Sequence, residues 1–306
     1  MLSKYNIDRE LGKGICIVPF HPTNFKENSI NLTISRNAWT LGEGRYYVIN
    51  RETIVPLKPG ENAPKGMQVF SLGRGDSAIS NGTNKKQLIM LPHTTTIIET
   101  SEVIGVDNRI GGTLHSKVGM VAKGIGHIGT MLGPCYCGHL MISLHNITDE
   151  IVCIPVGDTF VSLAFYYLDH PVETKQNSNI SGHVDKLAAL GIHVNAKTTE
   201  YLTQPWKIQL DGIRGKMKEE KNFTEYQQKK KVERRKHWLQ YINVRNGIIV
   251  ILMVAVIVGL FFLAQYLDGK AAQPSTAWID RYWTLICSGV LLPLILKLPS
   301  LFKKND

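Results

Sequence analysis

Between Asn108 and Ile147 the chain gathers His115, His127, His139 and His145 with Cys135, Cys137, Ser116 and Lys117, and has no carboxylate. Three chemistries are open to such a set. Cys135, Cys137 and His139 alternate, which would place them on one face of a strand, and thiolate with imidazole suits zinc. That reading needs His127 or His145 to fold across as a fourth ligand, and free cysteines are commonly buried small hydrophobes. A Ser or Cys nucleophile needs a base oriented by a third group, and no Asp or Glu lies nearby to do it. Lys117 offers a point charge for a phosphate, and Lys123 with Gly124 and Gly126 could add backbone amides.

The elements around these residues read as strands. In 110–168, alternating apolar runs (Leu140, Ile142, Leu144; Val161, Leu163, Phe165) are separated by Gly, Pro, Asn and Asp clusters, the pattern of half-buried antiparallel strands joined by tight turns. Upstream, 5–11 predicts a short helix stopped at Gly12, 15–19 a strand, and 29–39 a strand with Ile30, Leu32 and Ile34 inward. Further strands are expected at 46–49, 67–70, 87–91 and 95–99, with Gly157-Asp158 as a hairpin turn. Many short strands between turn residues point to a sandwich or Greek-key jelly roll rather than βαβ units.

Charge is distributed unevenly. The formal net charge is +10, and 216–245 alone holds ten Lys or Arg against four Glu. A basic run just before an apolar segment suits anionic lipid headgroups. It lacks the groove-reading motifs of nucleic-acid modules, so no nucleic acid is expected as partner. Lys229, Lys230, Lys231, Arg234, Arg235 and Lys236 form the densest part of this collar. Five cysteines without a regular framework suggest a reducing compartment, and the N-terminus has no apolar signal region.

The apolar segment 247–267 carries no charged residue, and at ~1.5 Å per residue it reaches ~31 Å, enough for a bilayer core. A second span is expected over 278–302, with Lys297 snorkelling and Pro293 kinking it. The linker 268–277 is short, which implies a helical hairpin with an external loop. Basic residues flank its outer ends, so the positive-inside rule puts both termini in the cytosol. The bilayer is thus an expected partner, and a bacterial inner-membrane, multi-pass location follows. The domain plan is a β domain over 1–169, an irregular connector with a short helix over 170–207, a solvated basic helical stalk over 208–246, and the two spans.

The β domain resembles the trimeric dUTPase and dCTP deaminase superfamily. The residues that carry the resemblance are, in order, the short N-terminal helix, SINLTIS, GGTLHSKVG, GTMLGPCYCGHLMISLHN and VGDTFVSLAF. The third of the four strand blocks is the most specific, since a Pro and an aromatic followed by Gly and a strand ending in Asn match the family's hairpin. The resemblance implies a mainly β fold, a dUTPase-like jelly roll or β-barrel head followed by the helical stalk and two transmembrane α-helices. It also implies a homotrimer with nucleotide pockets between subunits, and Mg²⁺ wherever a nucleoside triphosphate binds. By the same resemblance, the nucleotide-pocket candidates are Asn31, Thr113, His115, Ser116, Lys117, His127 and Tyr136; the Tyr136 ring is equally suited to a core.

The departures from the family pattern bear on activity. The attacking water and the proton transfer rely on carboxylates in the family, and those positions align with Gly133 and Ser143. Neither side chain can take and return a proton unassisted near neutral pH. Asn31 stands in place of an Asp, Ser162 in place of a Gln, and the phosphate-binding Arg is absent. The sequence therefore predicts no catalytic residue and a catalytically lapsed, membrane-anchored sensor of a nucleotide or other partner. By architectural analogy it is an effector in bacterial antiviral defence responding to a nucleotide or a phage-derived ligand. An active membrane-tethered dCTP deaminase or dUTP pyrophosphatase, and a ligand-free trimeric scaffold, are the alternatives.

Overall fold

The computed structural model describes residues 1–49, 53–80, 86–127, 129–173 and 184–241, with scattered positions between 251 and 266. In chain order the elements are α1 (Lys4–Glu10), β1 (Ile15–Val18), β2 (Ile30–Thr40), β3 (Gly44–Ile49), β4 (Thr53–Leu57), β5 (Val69–Leu72), β6 (Ile79–Ser80) and β7 (Gln87–Met90). They continue as β8 (Thr95–Val106), β9 (Ile110–Ser116), α2 (Val118–Val121), β10 (Ile125–Gly126), β11 (Met131–Leu132), β12 (Cys137–Asn146), β13 (Val152–Pro155) and β14 (Thr159–Tyr167). The helices α3 (Val184–Ala189), α4 (Ala196–Leu202), α5 (Leu210–Glu219) and α6 (Lys221–Tyr241) follow.

Alternation builds the sheet. Ile30, Leu32 and Ile34 are all buried and join Ile98, Ile104, Ile142, Leu163 and Phe165 in one core. The largest sheet runs β10-β12-β8-β2-β14-β9-β11, with β1 also paired to β8, and every strand pair in it is antiparallel. Its register slips on both sides of β8 and between β2 and β14, and such bulges bend and twist a sheet. The result is a mainly β domain, as the alternation predicts, and its principal sheet is curled. Its strand order has two ends, so among the described strands the sheet is not closed into a barrel. Two three-stranded sheets, β13-β7-β6 and β4-β3-β5, complete it. β4 was not foreseen, because Pro56 interrupts its pattern.

The domain ends later than its β pattern suggests. The first compact unit runs from Met1 to Tyr226 and the second from Gln227 to Asp306. That first unit extends past 169 to the middle of the charged stretch, and part of that stretch is buried in it. Ile213, Met217 and Phe223 are buried in the main core. Gly105 on β8 makes room for α5: a side chain there would lie 2.9 Å from Leu210 Cδ1 and 3.0 Å from Ile213 Cδ1. The Ile17 N–H donates to Met217 Sδ at 3.4 Å and the Phe20 N–H to Glu220 Oε2 at 2.6 Å. The connector also contributes to the domain, since Leu187, Ile192 and Leu202 are buried.

In the second unit, α6 carries the collar residues Lys229, Lys231, Arg234, Arg235 and Lys236 exposed, while Lys230 pairs with Glu233 at 3.2 Å. The described positions Ile251, Leu252, Val254, Val258 and Phe262 are helical with exposed apolar side chains. Most of 247–267, and all of 268–277 and 278–302, lie outside the described residues. Among the described residues no helix is long and apolar enough to cross a membrane.

Candidate functional site

The polar half of SINLTIS organises the site. Asn31, Thr33 and Ser35 alternate with the core isoleucines and leucine, so a strand sends them to the opposite face, and each meets a partner there. Asn31 Oδ1 accepts from Ser162 Oγ at 2.8 Å. The Thr33 N–H and Oγ1 donate to the two oxygens of Glu102 at 2.9 and 2.8 Å. Ser35 Oγ donates to Glu99 Oε2 at 3.0 Å, and Asn37 Nδ2 donates to the same oxygen at 2.5 Å. Glu99 and Glu102 are three residues apart, which in a regular strand puts them on opposite faces. The slip in β8 at this point turns both toward β2.

At one end of this seam, Ser162 pairs in register with Asn31 on β2 and with His115 on β9. The row Asn31, Ser162, His115 thus crosses three adjacent strands. Thr113 Oγ1 lies 2.9 Å from His115 Nε2. Ser116 Oγ lies 2.7 Å from His127 Nδ1 and accepts from the His127 N–H at 3.2 Å. Burial, helped by His115 and His145, pushes the His127 imidazole below its ordinary pKa. Lys117 Nζ donates to Thr159 Oγ1 at the foot of β14. Five of the seven sequence candidates therefore fall along β2, β9 and the residue just after β9, and His127, which follows β10, reaches them through Ser116. Tyr136 does not join them: it is buried in the main core, its hydroxyl donates to the His139 carbonyl, and burial raises its pKa.

Gly133 lies between β11 and the turn that opens β12, and Ser143 is exposed on β12 opposite Ile97. Mg²⁺ takes carboxylate, water and phosphate oxygens. The row offers an amide, a hydroxyl and an imidazole, so its own side chains do not fit that ion. Cys135, Cys137 and His139 do not converge either. Cys135 occupies a turn with φ 58°, and His139 Nδ1 lies 2.9 Å from the Thr100 carbonyl oxygen. Among the described residues no three His, Cys, Asp or Glu side chains are grouped to hold a metal.

At the other end of the seam is a buried titratable cluster that the sequence reading missed. Glu99 and His139 are buried, with Glu99 Oε1 3.2 Å from His139 Nδ1. Burial pushes Glu99 up to about 7, against the pull of Asn37, Ser35 and Lys207. Glu102 is likewise raised by burial to about 7, against its bonds from Thr33. Burial, then Lys207, lowers His139 to about 4. Lys207 is itself buried and lowered by that burial to about 8; its Nζ donates to the Tyr201 carbonyl at 2.7 Å and lies 3.2 Å from the Tyr201 ring centroid. The available signal was the segment ETSE: two glutamates inside a long run of β-branched residues, where unpaired burial would be costly.

No family model matches the chain, and no curated protein matches it. Solved structures similar to it include a 2′-deoxycytidine 5′-triphosphate deaminase from Agrobacterium tumefaciens, at 12% identity over 62% of this chain and 52% of that one, with a TM-score of 0.36. The EIAV dUTPase is similar at 18% identity over 33% of this chain and 92% of that one, TM-score 0.26. A mutant dUTPase from phage phi11 of S. aureus is similar at 14% identity over 45% and 97%, TM-score 0.25. The chain spans about half the length of the deaminase it matches.

Proposed function

We propose that this protein is a membrane-anchored binding module that senses a nucleotide or a nucleotide-like partner on the Asn31, Ser162, His115 row, without turning it over. The observation that carries this reading is the register of that row. An amide, a hydroxyl and an imidazole sit side by side on three adjacent strands, with Lys117 at its end to meet a phosphate. These groups donate and accept hydrogen bonds, which suits recognition. The carboxylates that the resemblance calls for at Gly133 and Ser143 are missing, and Glu102 is committed to Thr33, so water activation on the row has no placed base.

The membrane half of the proposal is supported by the apolar segments 247–267 and 278–302, by the exposed basic face of α6, and by the exposed apolar side chains between Ile251 and Phe262. In this reading a ligand-dependent change in a homotrimer is relayed to the bilayer, a mode suited to antiviral defence.

The test is to incubate the full chain with dUTP, dCTP and other nucleotides and to record retained ligand and product together by mass spectrometry. A nucleotide retained unconverted is the expected result. Turnover above a mock purification would replace the lapsed site with an active one and direct attention to Glu102. If no nucleotide is retained or converted, the sensing reading fails.

A further inference from the structure

Where β2 bulges, its residues wall a second cleft of about 510 Å³, remote in sequence from the Lys117 segment. Ser35, Arg36 and Asn37 form one side, and Lys197, Thr198 and Tyr201 of α4 form another. The bulge explains the arrangement. Asn37 folds back so that its N–H donates to Ser35 Oγ at 2.9 Å, both residues turn inward to Glu99, and Arg36 between them is left exposed. Neither Arg36 nor Lys197 has an ion pair or hydrogen-bond partner among the described residues, and no carboxylate lines the cleft. Cations left without counter-charge beside hydroxyl and amide groups suit a phosphate, for which arginine supplies a planar fork of donors. Tyr201 adds an aromatic wall, and the volume falls in the range of small-molecule sites.

We infer that this cleft binds a small, ring-bearing phosphomonoester, with its phosphate between Arg36 and Lys197 and its ring against Tyr201. Glu99, directly behind Ser35 and Asn37, holds those two side chains in place and does not face the ligand. This site is independent of the one on the Asn31 row.

The experiment is calorimetric titration of the full chain with adenosine monophosphate, inorganic phosphate and adenosine, in the parent, in an Arg36→Gln/Lys197→Gln variant and in Lys117→Ala. The parent is expected to bind the monophosphate more tightly than phosphate, and adenosine most weakly. The double variant is expected to lose roughly tenfold or more for both anions, the scale of a lost charge-assisted hydrogen bond, while its circular dichroism stays unchanged. Lys117→Ala removes only what the Asn31 row contributes, so the saturable site held by Arg36 and Lys197, which Lys117 does not line, is expected to persist in it. No saturable binding of either anion, or parental affinity in the folded double variant, overturns the site. Equal affinity for monophosphate and phosphate overturns the ring contact. Monophosphate binding lost only in Lys117→Ala also overturns this inference, and assigns the ligand to the Asn31 row.

Discussion

Glu99 Oε1 and His139 Nδ1 stand 3.2 Å apart with both side chains buried, yet they are not an ion pair at neutral pH. Desolvation disfavours the charged form of each: it raises Glu99 to about 7 and lowers His139 to about 4. The imidazole Nδ1–H instead donates a hydrogen bond to the Thr100 carbonyl. The pair is a neutral contact between about pH 4 and 7, and this fixes the sign of the domain's pH dependence there.

From about pH 4.5 to 7 the folded state keeps protons on Glu99 and Glu102 that the unfolded chain has released. Their contribution is therefore complete below the unfolded value and lost as pH rises through about 7. His139 acts oppositely between about 4 and 6.5, where the unfolded imidazole is charged and the folded one neutral. It offsets one of the two carboxylates in that window, so the decline is expected to be steepest between about 6.5 and 7, at ~1.4 kcal/mol per pH unit per proton. Glu99→Gln is expected to stabilise the domain at pH 8 by up to ~3 kcal/mol and to bring almost no gain at pH 4, below the unfolded value. Denaturant unfolding at both pH values checks this, and equal effects at the two would contradict the assignment of a neutral Glu99.

The binding proposed for the Asn31 row would depend on a point charge and on an imidazole. Lys117→Ala is expected to weaken retention of nucleoside triphosphate by roughly tenfold to a hundredfold, in line with a hydrogen bond to a charged group, and His115→Ala by less. Lys117 reaches Thr159 only by its amine and the His115 side chain is exposed, so neither change should alter the melting temperature by much. A nucleotide affinity untouched by both would leave the row without a role.

How much of this was legible follows the range of the forces involved. SINLTIS shows its inward face by period alone, and the turn at Gly12, with φ 74°, is a local matter of glycine's freedom. The partners of its polar face are not local: Glu99, Glu102 and Ser162 are 64, 69 and 131 residues away from Ser35, Thr33 and Asn31. Nothing short of the strand order brings them together. The same holds for α5, whose charged composition hides Ile213 and Met217 at four-residue spacing, one narrow buried stripe on an otherwise polar helix. Tyr136 was ambiguous for a different reason, since a hairpin aromatic suits a ligand or a core equally and only packing decides.

The cysteines differ in accessibility rather than in type. Cys16 and Cys137 are buried, and desolvation raises their thiols to about 11 and about 12. At pH 8 Cys16 should thus hold about a hundredfold less thiolate than an unburied thiol, and reaction requires thiolate. Peptide-resolved alkylation is expected to label the half-buried Cys135 well before either. Fast labelling of Cys16 in the folded protein would mean that the seat of α5 on β1 opens readily.

That seat is also where the domain boundary can be tried. A fragment ending at 169 lacks α5 and would uncover the β1 and β8 faces that Leu210, Ile213 and Met217 cover, including the space above Gly105 that Leu210 and Ile213 fill. It is expected to be insoluble or to lack a cooperative transition, whereas a fragment ending at 226 is expected to unfold cooperatively. Within the full chain, Ile213→Ala removes a fully buried side chain from the main core and should cost about 2–5 kcal/mol. Val232→Ala, on the exposed part of α6, should stay within about 0.5 kcal/mol. Denaturant midpoints for the two variants decide the matter: similar small losses would make α5 a loosely attached stalk after all, and a cost at least roughly fourfold greater for Ile213→Ala than for Val232→Ala is what membership of α5 in the β domain's core requires.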